Sequence, residues 1–169
     1  MPLPLFDETG ALFSPCRRYR YRLWRYWDRS QPYLVFLMLN PSTADELTND
    51  PTVERCERRA RSMGYGGLEV VNIFAYRATD PAVMKAQDDP VGPDNNQAIL
   101  DAVQAAGMVV CAWGMHGNYR GRGIEVRRLL NDHRITPYCL RTGKDGQPGH
   151  PLYIGYDVLP TPLVAPGPA

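Results

Sequence analysis

A chain of 169 residues with 44% hydrophobic and 22% charged residues suits one soluble domain that can bury its own core. No apolar run approaches the roughly 20 residues of a membrane helix, and the opening MPLPLFDETG lacks the basic and long apolar regions of a signal peptide, so a cytoplasmic location and no membrane partner are expected. The formal charge of +1 points to no partner by itself, and Cys16, Cys56, Cys111 and Cys139 form no CxxC pair, so neither a metal nor a cofactor is expected.

Residues 1 to 16 hold three prolines and read as an irregular arm. Residues 17 to 28 follow as an alternating strand in which Arg17, Arg18, Arg20, Arg22, Arg25 and Arg29 are interleaved with Tyr19, Tyr21, Trp24, Tyr26 and Trp27. Such interleaving suits phosphate contacts and base stacking; it equally suits an amphipathic edge strand whose aromatics cover the core and whose arginines are solvated. After a turn at 28 to 32, residues 33 to 39 form a continuous apolar strand that stops at Asn40-Pro41-Ser42-Thr43. Proline fixes the turn, and Ser42 or Thr43 suits a cap.

Asn49-Asp50-Pro51-Thr52 resembles a helix start, and the helix should run to about Met63 and stop at Gly64. Residues 68 to 74 form a second apolar strand, interrupted by Asn72, an amide that either faces a ligand or ties down a neighbouring loop. A short helix at 81 to 87 precedes a longer one from Pro93 or Asp94 through Ala106. Residues 108 to 113 form a third apolar strand, closed by Gly114-Met115-His116-Gly117. A helix at 121 to 131, a short strand at 136 to 140 and a polar loop ending in Gly149-His150-Pro151 come next, and the tail after Pro160 should be extended or disordered.

Strands alternating with helices predict a single α/β domain, a three-layer α/β/α arrangement with a mostly parallel central sheet. Its core spans about residues 17 to 159. In such sheets ligands bind beyond the carboxyl ends of the strands, where Asn40, Asn72, His116 and His150 should converge.

The chain has no GxSxG elbow, no GK[ST] phosphate loop, no GxGxxG at a strand end and no HExxH. Amides, imidazoles and turn backbones remain. These suit orienting a water, pairing a base edge and stabilising a departing anion, which are the tasks of N-glycosidic bond cleavage.

Four strand-end motifs carry a resemblance. Met38-Leu39-Asn40-Pro41-Ser42, Asn72 in VVNIF, Cys111-Ala112-Trp113-Gly114 and Gly149-His150-Pro151-Leu152 together resemble the uracil-DNA glycosylase superfamily, closest to its mismatch-specific thymine and uracil branch. The chain also resembles, over roughly residues 18 to 158, a bacterial and phage family known as domain of unknown function 1643, through LNPSTAD, the NDPT helix start, VVNIFAYRATDP and GHPLY.

The glycosylase resemblance implies a uracil-DNA glycosylase-like fold and a monomer that acts on nucleic acid, DNA first, by hydrolysing the bond to a flipped modified or mismatched base. Asn40 would place the attacking water, and His150 would donate to the departing base or contact the phosphate backbone through its loop. Asp45 is either a base near the rim or a cap, and Asp50 a cap. Asn72 would read the base edge, Phe74 or Tyr76 would stack on it, and Pro41 and Ser42 would line its pocket. Backbone contacts would come from Ser42, Thr43 and Leu152, with Tyr153 a second wedge, and His116 is either a further contact or a solvated loop residue. Arg77 and Arg120 are either phosphate contacts or surface charge. Ser42 stands where the branch has glycine, and the branch with the strongest activity has an aspartate that this chain lacks. Two alternatives stand beside the glycosylase: a non-catalytic binding module for a nucleotide or altered base, and a hydrolase of a small nucleoside derivative. Base excision repair, nucleotide metabolism and phage defence are equally open as settings.

Overall fold

The computed structural model describes residues 8 to 152 and 154 to 164. Seven strands form one sheet: β1 (Glu8–Phe13), β2 (Arg20–Tyr26), β3 (Tyr33–Met38), β4 (Gly67–Asn72), β5 (Met108–Cys111), β6 (Pro137–Cys139) and β7 (Thr161–Pro162). The order across the sheet is β1-β2-β4-β3-β5-β6-β7. Pairing is parallel from β4 through β3 and β5 to β6, and antiparallel at β1–β2, β2–β4 and β6–β7. The sheet is therefore mixed, not mostly parallel. The additional antiparallel strands come from the N-terminal hairpin and the tail, segments whose pairing partners are far away or carry no periodic signal of their own.

Residues 34 to 37 of β3 are all fully buried, which explains their unbroken apolar run: a strand covered on both faces needs no polar side. Val35 and Leu37 join a core with Ile99, Ala102 and Val103 of α3 (Asn95–Val103) and with Val126 and Leu130 of α4 (Arg122–Asp132). Leu34, Phe36 and Met38 turn the other way, toward Val53, Cys56 and Ala60 of α1 (Pro51–Ser62). A short α2 (Pro81–Lys85) adds Met84 to the first core. No described helix is long and apolar enough to cross a membrane.

Helix α1 forms where the local signals put it. Asp50 Oδ1 accepts the Val53 N–H at 2.8 Å, Pro51 fills the first helical position, and Gly64 adopts a φ of +84° just past the end. At the far end of the chain, buried Arg59 donates to the carbonyls of Ile154, Gly155 and Val158 and fastens that segment over α1.

Two expectations are corrected, and the tail, expected to be extended or disordered, is extended where it pairs with β6 through Thr161 and Pro162. The described part of the arm, residues 8 to 13, is an edge strand. Strand β2 is interior, flanked by β1 and β4, so its arginines are not a solvated row. Arg20 and Arg25 are 2% and 3% exposed, Arg22 pairs with the buried Glu69, and Arg17 and Arg29 pair with Glu46 and Glu8. The aromatics are occupied too: Tyr19 stacks on Tyr21, and Trp27 donates to the Tyr65 carbonyl.

Candidate functional site

Strand β3 lies between β4 and β5, so successive crossovers leave it in opposite directions, and a crevice opens beyond the carboxyl ends at that switch point. A cavity of about 700 Å³ occupies it, a size that suits a nucleoside-sized ligand. Met38, Val53, Val70 and Trp113 supply apolar wall, and the polar side chains come from separate segments of the chain: Arg20, Asn40, Asp50, Asn72, His116 and His150.

Asn40 follows the end of β3. Its Nδ2 donates to the Ala78 carbonyl at 2.7 Å and to the Pro41 carbonyl at 3.2 Å. Two carbonyls demand the NH2 on that side, so the amide oxygen is left to accept from a ligand or a water.

Asn72 ends β4 and is 2% exposed. Its Oδ1 accepts from Arg20 Nη2 at 3.4 Å. Asn95 Nδ2 donates to the Asn72 carbonyl at 2.8 Å, and Arg122 Nε to the Ile73 carbonyl at 2.7 Å, so the strand end is held from behind while the Asn72 Nδ2 remains for the cavity.

His150 Nδ1 accepts the Leu152 N–H at 3.1 Å, which puts the ring proton on Nε2. Burial holds its pKa below the usual histidine value, against the attraction of Asp50. The ring is thus a neutral donor at neutral pH. His116 is arranged similarly, its Nδ1 lying 2.9 Å from Lys85 Nζ, and an ammonium can only donate.

Ser42 meets Thr79 across the rim at 3.2 Å, and Pro41, Thr43 and Leu152 also line the cavity. Trp113 is 2% exposed; its Nε1 donates to Gln147 Oε1 at 2.7 Å. A Cβ on Gly117 would lie 2.0 Å from the Trp113 ring, so only glycine fits beneath it.

Several expected site residues lie elsewhere. Asp45 is a turn residue whose Oδ1 accepts the N–H groups of Leu47 and Thr48, each at 2.9 Å, and it does not line the cavity. The carboxylate that does is Asp50, which caps α1 and also accepts from Ala44 N at 3.3 Å. Phe74 is fully buried in the core beside Tyr119, and Tyr76 packs edge-on against Tyr19, so neither is placed to stack on a ligand there. Arg77 donates to the Arg17 carbonyl and Arg120 to the Asp88 carbonyl, away from the cavity. Tyr153 lies outside the described residues.

The residue missed in the sequence is Arg20. It reaches the cavity because the β1–β2 register shifts between Leu12 and Phe13: Leu12 faces Arg22 and Phe13 faces Arg20, which leaves Tyr21 as an extra residue. Such a bulge re-aims the side chains around it. Burial pushes the guanidinium down to about 10, against the attraction of Asp50. Among the described residues no group of three or more His, Cys, Asp or Glu side chains could hold a metal ion.

The family model described as "Protein of unknown function (DUF1643)" matches residues 20–152. No curated protein and no solved structure matches the chain.

Proposed function

Because the chain belongs to the DUF1643 family, whose description names no activity, we propose from the cavity itself that it is a base N-glycosylase-like hydrolase with a uracil-DNA glycosylase-like three-layer fold. The observation that carries this reading is the convergence of Asn40, Asn72 and His150, from three separate strand-end segments, on one nucleoside-sized cavity.

In this reading the base enters between Trp113 and the end of β4, and Asn72 Nδ2 donates to a carbonyl on its edge. The free oxygen of Asn40 accepts a hydrogen bond from a water and aims it at the anomeric carbon. As the C–N bond breaks, the sugar gains oxocarbenium character, and the electron pair stays on the departing base, where the neutral His150 Nε2–H stabilises it. An amide is too weak a base to take the water's proton. Asp50, with a free lone pair on each oxygen in the same cavity, receives it.

A second reading, a hydrolase of a small nucleoside derivative, is favoured by one observation. The arginine-rich strand is turned inward, and the cation lining the cavity, Arg20, is itself buried rather than spread along a rim that could follow a nucleic-acid backbone.

Oligonucleotides carrying a panel of altered bases, and the matching free nucleosides, distinguish these readings. Base release from strands supports the first, and release from nucleosides alone supports the second. No release from either, with Asn40→Ala binding the same compounds as well as wild type, rejects both.

A further inference from the structure

We propose that Arg20 makes this cavity an oxyanion site, so that its ligand is an anionic nucleoside derivative with a phosphate or carboxylate oxygen against the guanidinium. The inference rests on the base-binding reading above and names the substrate class of the same cavity.

Four arginines are buried: Arg20, Arg25, Arg59 and Arg122. The other three make more bonds than Arg20, and none of them leaves a buried nitrogen without a partner. Arg25 reaches Asn49 and several carbonyls around 45 to 48, Arg59 holds three carbonyls of the C-terminal segment, and Arg122 binds the Ile73 carbonyl, Asn96 and Glu125.

Arg20 differs. Its Nη1 donates to the Ala44 carbonyl at 3.1 Å and its Nη2 to Asn72 Oδ1 at 3.4 Å, while its Nε, buried, has no partner. A guanidinium carries five N–H donors in a planar fork, so three are unused. No carboxylate forms an ion pair with it among the described residues. It is also the buried arginine that lines the cavity.

A desolvated, under-bonded cation is stabilised by an anion with hydrogen-bonding oxygens, and a fork fits a carboxylate or phosphate edge. The rest of the wall agrees. The first turn of α1 faces the same space through Pro51, Thr52 and Val53, and an N–H at the second position of a 12-residue helix has no intrahelical carbonyl. Asp50 is the opposing charge in the same cavity; each of its oxygens accepts one backbone N–H group, and it forms no ion pair with Arg20 among the described residues. The amides of Asn40 and Asn72 and the neutral His150 complete the wall, so the ligand's anion meets one cation rather than a ready-made ion pair.

Titration calorimetry on the full chain tests this with two matched pairs of probes, deoxyuridine against its 5′-monophosphate and uracil against orotate. The expected result is that one anionic member binds about tenfold tighter or more than its neutral partner. The pair that shows the gap identifies the source, a phosphate or a carboxylate on the base.

Arg20→Gln should erase that gap and leave the neutral member's affinity nearly unchanged, and Arg20→Lys should keep part of it. Equal binding of charged and neutral members to the wild type overturns the proposal whether or not the variants fold. An equal loss for both members in Arg20→Gln also overturns it, since Arg20 would then only position Asn72. Binding of uracil without preference for orotate or monophosphate rejects the oxyanion site alone. Binding of none of the four rejects the base-binding reading with it.

Discussion

Exchanging the amide of Asn72 for a carboxylate should invert which base the cavity prefers. Asn72 is 2% exposed, its carbonyl is held by Asn95 at 2.8 Å, and the next carbonyl by Arg122 at 2.7 Å, so the backbone has no reason to move. In Asn72→Asp the oxygen facing Arg20 Nη2 at 3.4 Å is kept and gains charge, which offsets the burial of the new carboxylate. The cavity-facing atom changes from a donor to an acceptor. For a base with a carbonyl on that edge, one hydrogen bond is lost and two oxygens are left opposed without a proton between them, together about 2 to 4 kcal/mol. That is roughly a 30- to 700-fold weakening. A base with an amino group on the same edge gains by the same exchange. Calorimetric titration with uracil and cytosine should show wild type favouring uracil and Asn72→Asp favouring cytosine. A folded Asn72→Asp protein with the wild-type ratio of affinities would refute the assignment of Asn72 as the reader of the base edge.

Asn40→Ala removes the donor that ties the loop after β3 to the Ala78 carbonyl; it should cost about 1 to 2 kcal/mol and lower Tm by roughly 2 to 8 °C, measured by thermal melting. Asp50→Ala strips the α1 cap and should cost about 1 kcal/mol, with Asp50→Asn retaining most of it in urea unfolding, because an asparagine oxygen still accepts the Val53 N–H. His150 has a folded pKa below its unfolded value of about 6.5, so the unfolded chain binds the extra proton first. Stability should therefore fall as pH drops below about 6.5, down to the folded pKa, and His150→Gln should flatten that part of the profile in unfolding measurements taken between pH 7.5 and 5.

Much of the site was legible in the sequence because its signals are local. An apolar run that stops at Asn40-Pro41, an asparagine closing LEVVN at Asn72, and a histidine beside Pro151 in a polar loop can all be read without knowing what lies across the sheet. The start of α1 at Asp50-Pro51 and its stop at Gly64 belong to the same class, since capping and positive φ are settled within a few residues.

What escaped was set by contacts distant in sequence. Two acidic residues flank the loop after β3, and only the chain path decides that Asp45 closes a turn while Asp50 caps the helix and faces the cavity. Phe74 lies two residues beyond Asn72, yet it is fully buried in the core. No propensity along RRYRYRLWRYW announces the bulge opposite Leu12 and Phe13, or that β1 and β4 enclose this strand from both sides.

The alternation of β2 to β6 with the helices and the polar groups delivered at the strand ends could be read from the chain alone, since side-chain period and turn chemistry are properties of neighbouring residues, whereas β1 and β7 carried no such signal. Tertiary structure alone decided the mixed pairing of the sheet and the burial of Arg20 against Asn72, because strand partners and bulges are fixed by contacts between segments that local pattern does not connect.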